Sequence, residues 1–230
     1  LRRGEPTLSS IKGNKTAVHT GDYLVGLGLK ISAFYDDAEM QKVLTHTIIE
    51  MCNGEMQQQR TLFQVDQSLR DYFYRIKRKT ALLLATSVQL GAKAADAPRE
   101  ATILFHFGFF CGMAFQIKDD LLDITADEKI LGKPVAGDIR QGVFTLPVIY
   151  ALRNAPERME LQALLTVREK SPEQIDRILQ IVKSCGAIEY AEGWIDHYTE
   201  CSIKQLNKLP DLPVKRSLLR LAHVIGERDY

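Results

Sequence analysis

Asp119, Asp120 and Asp123 are the residues of this chain best suited to do chemistry, because they gather carboxylates at the downstream end of its most apolar stretch. With Gln116 they fall at i, i+3, i+4 and i+7, a spacing that brings side chains to one face of a helix. Three carboxylates so placed repel one another, and at a helix C-terminus they also meet the negative end of its dipole. The arrangement calls for a cation. Hard oxygen donors suit Mg²⁺, which is commonly held by one or two carboxylates while substrate phosphates complete its shell. An isolated Asp-Asp-x-x-Asp also suits a solvated acidic helix end, so its surroundings have to decide.

The element that must position these residues is the run from Ala101 to Ile117. It is apolar on nearly every side, which places it inside the protein as a buried helix opened by Ala97-Pro98-Arg99. Such a helix would aim the aspartates at an interior cavity. His106 on this helix is expected to be a hydrogen-bonded core histidine and no ligand. Downstream, Gly132-Lys133-Pro134-Val135-Ala136-Gly137-Asp138 reads as a loop punctuated by Gly and Pro that carries a lysine and a further carboxylate.

The remaining pattern is helical almost throughout. Helices are expected from Asn14 to about Tyr35, with Gly21, Gly26 and Gly28 permitting close packing, and from Ala38 to about Phe63. The apolar face of the second (Met40, Leu44, Thr47, Ile48, Met51) continues into Glu55 and Gln58 before Leu62, and inward polar groups need partners. Ser68 with Asp71 reads as an N-cap, followed by a stripe through Leu69, Tyr72, Phe73, Ile76, Thr80, Leu83, Ser87 and Leu90 that turns Thr80 inward. Thr145–Arg153 should be a helix with Pro147 in its first turn. Ser171-Pro172-Glu173-Gln174 is a capping box, and later helices are expected around Ile188–Tyr198 and Val214–Ile225. Trp194 is expected in the core or at an interface.

At 230 residues and 45% hydrophobic content, the chain can bury a sizeable core, most simply as a single domain over 1–230. A formal charge of +1 gives no reason to expect nucleic acid. Charge is nevertheless segregated: Arg70–Lys79 is basic and Asp119–Glu128 acidic, which would suit metal and diphosphate bound together. As ordinary solvated charges, Arg70, Arg75 and Arg78 would fit equally well. Cys52, Cys111, Cys185 and Cys201 have no metal-like spacing and are expected as small buried hydrophobes in a reducing cytosol. The apolar run falls short of the roughly 20 residues of a spanning helix, and no signal peptide is recognised. A cytoplasmic protein with at most peripheral membrane contact is expected.

Several motifs occur in a fixed order: Leu1-Arg2-Arg3-Gly4-Glu5-Pro6-Thr7, Gly21-Asp22, Gly54-Glu55-Met56-Gln57-Gln58, Lys79-Thr80, Phe115-Gln116-Ile117-Lys118-Asp119-Asp120 and the Gly132–Asp138 loop. Together they resemble the trans-type isoprenyl (polyprenyl) diphosphate synthases over essentially the whole chain. The resemblance implies an all-α, isoprenoid-synthase-type helical bundle around a central cavity, here lacking its N-terminal helices and the first Asp-rich motif. It also implies Mg²⁺-dependent head-to-tail condensation of isopentenyl diphosphate with an allylic diphosphate.

On that resemblance Asp119, Asp120 and Asp123 are metal ligands, and Arg2 and Arg3 contact the two diphosphates. Lys79 binds the allylic diphosphate, Thr80 and Gln116 face the developing cation, and Lys133 closes over the site. Gly142-Val143-Phe144-Thr145 departs from the family's Gly-Lys-x-Thr, as does the catalytic subunit of two-component heptaprenyl diphosphate synthases. That similarity implies a long product, with heptaprenyl for menaquinone as the specific expectation, made by a homodimer or by a heterodimer with a small regulatory subunit. A non-catalytic subunit acting through a partner and a class I terpene cyclase are the competing readings; the Leu-Arg-Arg-Gly and Gly-Lys-Pro segments count against the cyclase.

Overall fold

The computed structural model describes residues 5–35, 37–125 and 135–227, and every regular element among them is helical. Its organising element is α6 (Pro98–Thr125). The close approach of α5 (Leu82–Ala94) to α6 depends on two glycines. A Cβ on Gly112 would stand 2.6 Å from the Ala81 Cα, and one on Gly108 would stand 2.8 Å from the Leu84 carbonyl oxygen. Phe110, two residues from Gly112 and so on the opposite side of the helix, stacks on Tyr198 of α11 (Ala187–Leu206) with ring centroids 6.2 Å apart. The closing helix α12 (Pro213–Glu227) packs on both α11 and α6. At 28 residues α6 is longer than the apolar run suggested and long enough to cross a membrane, yet it serves as a core helix gripped by its neighbours.

Upstream, α1 (Leu8–Lys12) and α2 (Asn14–Ser32) lead into α3 (Ala38–Arg60), which flanks α5. The short α4 (Leu69–Ile76) begins at Ser68 with the expected capping box, Asp71 returning the bond to the Ser68 amide. Lys77–Ala81 then forms a π-helical turn, in which the Leu82 amide reaches back to the Lys77 carbonyl. The wider ring of a π turn absorbs one extra residue and shifts the facing of everything after it by about 100°. The expected stripe therefore breaks: Leu83 and Ser87 are exposed, and Ala81, Ala85, Thr86 and Ala92 are buried instead.

Beyond the site lie α7 (Gly137–Gln141), α8 (Leu146–Asn154, Pro147 in its first turn), α9 (Arg158–Thr166) and α10 (Pro172–Ser184, with the Ser171 capping box). One apolar core runs from Tyr72 to Ile225 and joins these helices to α6. Arg75 crosses it. Far from being a solvated charge, this arginine is buried, and it donates to Gln67 Oε1 (2.9 Å) and to the Phe144 carbonyl (2.7 Å), tying α4 to the segment before α8. Arg75→Met would strand both acceptors, and we expect a loss of about 2–3 kcal/mol, read as a lower denaturant midpoint at unchanged slope.

Three smaller expectations also change. Gly21, Gly26 and Gly28 support no close packing among the described residues, since a Cβ on any of them meets nothing within 4 Å. His106 is exposed, with Nδ1 2.8 Å from the Thr102 carbonyl of its own helix, because it lies on the side of α6 that faces solvent. Cys52 is exposed on the outer side of α3, whereas Cys111 is buried and the other two are half-buried.

Candidate functional site

The π turn packs against both α3 and α6. The π turn carries Lys79 and Thr80, α3 brings Glu55 and Gln58, and α6 ends in Gln116, Asp119, Asp120 and Asp123. Gly54 permits the first meeting, for a Cβ there would lie 3.1 Å from the Lys79 amide nitrogen. Lys79 Nζ donates to Gln58 Oε1 (3.0 Å) and pairs with Glu55 (3.1 Å). The polar end of the α3 stripe thus has its partner. Both ends of the ion pair are partly exposed, so it is weak and leaves Lys79 able to change partners.

Thr80 Oγ1 donates to Gln116 Oε1 (2.5 Å), and Gln116 Nε2 donates to Asp120 Oδ1 (2.8 Å). The other oxygen of Asp120 accepts from the Tyr72 hydroxyl at 2.7 Å. Thr80 is half-buried and inward, as its position in the stripe implied. Arg2, Arg3 and Lys133 lie outside the described residues.

The three carboxylates differ sharply in setting. Asp119 is exposed, while Asp120 and Asp123 are 5% and 3% exposed. Asp123 Oδ2 accepts the Asp138 amide (3.0 Å) at the start of α7, and its carbonyl accepts the Ala136 amide (2.8 Å). Burial pushes the Asp120 carboxyl up to about 7, with the nearby Asp138 charge adding to the rise and the Gln116 and Tyr72 hydrogen bonds opposing it. Burial, together with the adjacent Asp120, holds the Tyr72 phenol well above its ordinary range, so it remains a donor.

Among the described residues no three His, Cys, Asp or Glu side chains converge on one point. With one exposed carboxylate beside two buried, hydrogen-bonded ones, the donor set fits a Mg²⁺ that takes few ligands from α6 and most from diphosphate and water. It does not fit a cation caged by all three side chains.

The polyprenyl synthetase family model matches residues 1–182. The chain belongs to that family. It is 40% identical over 231 residues to the heptaprenyl diphosphate synthase component 2 of Bacillus subtilis (strain 168), and 42% identical over 232 residues to that of Geobacillus stearothermophilus. All of this polyprenyl synthetase chain is aligned in both, spanning 66% of the first relative and 72% of the second. Its fold matches the crystal structure of heptaprenyl diphosphate synthase from Staphylococcus aureus with a TM-score of 0.93 at 32% identity, covering 100% of this chain and 72% of that one. A polyprenyl synthase from Caulobacter crescentus CB15, complexed with calcium and isoprenyl diphosphate, gives 0.94 at 25% identity over 100% of this chain and 71% of that one.

From the sequence, Tyr72 reads as core packing, and its link to Asp120 does not show. One signal was available: a tyrosine on a buried stripe brings a hydroxyl that needs a partner inside the protein. The π turn left no such trace, since Lys77–Ala81 has an ordinary helical composition.

Proposed function

We infer that the protein carries out, alone or with a second component, the Mg²⁺-dependent condensation of isopentenyl diphosphate with an allylic diphosphate to a long all-trans polyprenyl diphosphate. The observation that carries this reading is that the Lys79-Thr80 turn is hydrogen-bonded through Thr80 to Gln116, which lies about one helical turn ahead of the exposed Asp119. A reaction that begins by ionising an allylic diphosphate needs positive charge on the departing group and electron-rich oxygens beside the carbocation, in one small space. Lys79, released from Glu55, would hold the allylic diphosphate. Thr80 Oγ1 and Gln116 Oε1 would face the cation until the double bond of isopentenyl diphosphate attacks it and a proton is lost.

When bound, Mg²⁺ would neutralise the leaving diphosphate. Asp119 would be its direct contact, since both oxygens of Asp120 and Oδ2 of Asp123 already accept hydrogen bonds. Arg2, Arg3 and Lys133 are proposed as further diphosphate contacts, their chemistry suited to phosphate oxygens. The likeness to component 2 of heptaprenyl diphosphate synthases supports a heptaprenyl product and a second component; we further propose that the product serves menaquinone synthesis in the cytoplasm and that the second component is a small subunit or a second copy of this chain.

The test is incorporation of isopentenyl diphosphate onto an allylic primer by the chain alone, with a candidate second component, and in a version extended at the N-terminus to its relatives' length. Linear diphosphates are expected, abolished by chelation, with Lys79→Ala lowering incorporation about 100-fold. Cyclic hydrocarbons with free pyrophosphate would assign a terpene cyclase instead. Incorporation that depends on the partner yet survives Lys79→Ala would make this chain a non-catalytic subunit.

A further inference from the structure

The hydrogen bonds at the site all run one way. Thr80 donates to Gln116, Gln116 donates to Asp120, and Tyr72 donates to Asp120 from the opposite side. Both oxygens of Asp120 therefore accept, Oδ1 from Gln116 and Oδ2 from Tyr72. Rotating the Gln116 amide would set Oε1 against Asp120 Oδ1, one acceptor facing another across 2.8 Å, and would turn the Nε2 hydrogens toward Thr80. Asp120 therefore fixes which end of the amide points along the chain. Its grip extends to Thr80, whose hydroxyl hydrogen is committed to Gln116.

Building on the condensation reading, we propose that Asp120 is a positioning residue and no direct ligand of the cation. It polarises the Thr80–Gln116 pair so that oxygen lone pairs, and no N–H or O–H, face the carbocation. Tyr72 is the second half of the device. Fully buried on α4, it holds Asp120 in the one orientation that leaves Oδ1 for Gln116, and Arg75, 5.5 Å from its ring, ties that helix to the Phe144 carbonyl. A carbocation is repelled by a donor hydrogen and attracted by a lone pair, so the direction of these bonds matters as well as their presence. The three aspartates consequently divide the work: Asp119 meets the metal, Asp120 orients the cation-facing oxygens, and Asp123 anchors the returning loop.

Asp120→Leu removes the acceptor, whereas Asp120→Asn keeps one acceptor oxygen for Gln116 and discards the charge. In the active form, Asp120→Leu should lower kcat about 100-fold with the Mg²⁺ concentration for half-activation unchanged, and Asp120→Asn should recover most of that loss. Direct ligation predicts the opposite: both substitutions would raise the Mg²⁺ requirement together, as Asp119→Asn should.

Two measurements do not depend on turnover. Mn²⁺ binding in the presence of inorganic pyrophosphate, followed by electron paramagnetic resonance, should weaken at least tenfold in Asp119→Asn and stay within about twofold in Asp120→Asn. In ¹⁵N-glutamine-labelled protein, the side-chain amide pair assigned through Gln116→Met should move in Asp120→Leu and, by a smaller amount, in Tyr72→Phe. A Gln116 amide signal unchanged in Asp120→Leu, or Mn²⁺ affinity lost equally in Asp119→Asn and Asp120→Asn, overturns the proposal. If the amide signal responds but no form of the protein condenses the substrates, the functional reading fails and the orienting role of Asp120 survives.

Discussion

Asp119→Ala is expected to lower turnover of the active form about a thousandfold, some 4 kcal/mol of transition-state stabilisation, because it removes the one exposed carboxylate of the triad. Its folding stability should barely change, by less than about 0.5 kcal/mol, because the side chain lies at the surface. Asp123→Ala offers the contrast. That carboxylate is 3% exposed and accepts the amide that starts α7, so its loss should cost stability as well as activity, by about 1–3 kcal/mol. Turnover and melting temperature measured on the two variants separate a metal contact from a structural anchor. Turnover of Asp119→Ala within about threefold of the unsubstituted protein would remove the metal from this end of α6.

Gly112→Val should produce the largest loss of stability of any single change discussed. Its Cβ alone would come within 2.6 Å of the Ala81 Cα, and backbone cannot rotate away as a flexible side chain can. Separating α5 from α6 enough to admit a branched side chain should cost about 3 kcal/mol, or about 8 °C in melting temperature for a chain of this size. Ala81 closes the π turn that carries Lys79 and Thr80, so the displacement is delivered straight to the site. Residual activity of the folded fraction should therefore fall too. Gly193→Ala is the control: it lies within α11 with nothing inside 4 Å of the added Cβ, and should raise stability by up to about 1 kcal/mol. Equal melting temperatures for Gly112→Val and Gly193→Ala would show that the two helices do not depend on the close approach at Gly112.

How much of this could be read from the chain depends on the range of the interaction. Ser68 with Asp71, Ser171 with Gln174, and Pro147 in a first turn were legible because a cap is made by residues three or four apart. The apolar run before the aspartates announced α6, and the i, i+3, i+4, i+7 spacing announced that Gln116 and the triad belong together. The same periodicity failed after Ile76. Leu83 and Ser87 lie on the expected stripe yet end at the surface, since a single π turn shifts the facing of all that follows and Lys77–Ala81 carries no sign of it. Arg75 failed for a related reason. A lone arginine in a basic segment looks solvated, and only the carbonyl of Phe144, far along the chain, explains its burial.

The sequence by itself determined the fold class and family of the protein, through helices throughout and motifs whose order resembles the polyprenyl synthases, and it pointed to an acidic helix end suited to a cation. Those features are local, or lie in the order of the motifs. Tertiary structure alone decided what surrounds each residue. Equal spacing made Asp119, Asp120 and Asp123 look equivalent, yet one is exposed, one is held between Tyr72 and Gln116, and one anchors Asp138. The physical reason is that a carboxylate's role follows from which donors surround it. Tyr72 lies 48 residues from Asp120 and Asp138 lies 15 from Asp123, so these donors arrive only when the helices pack.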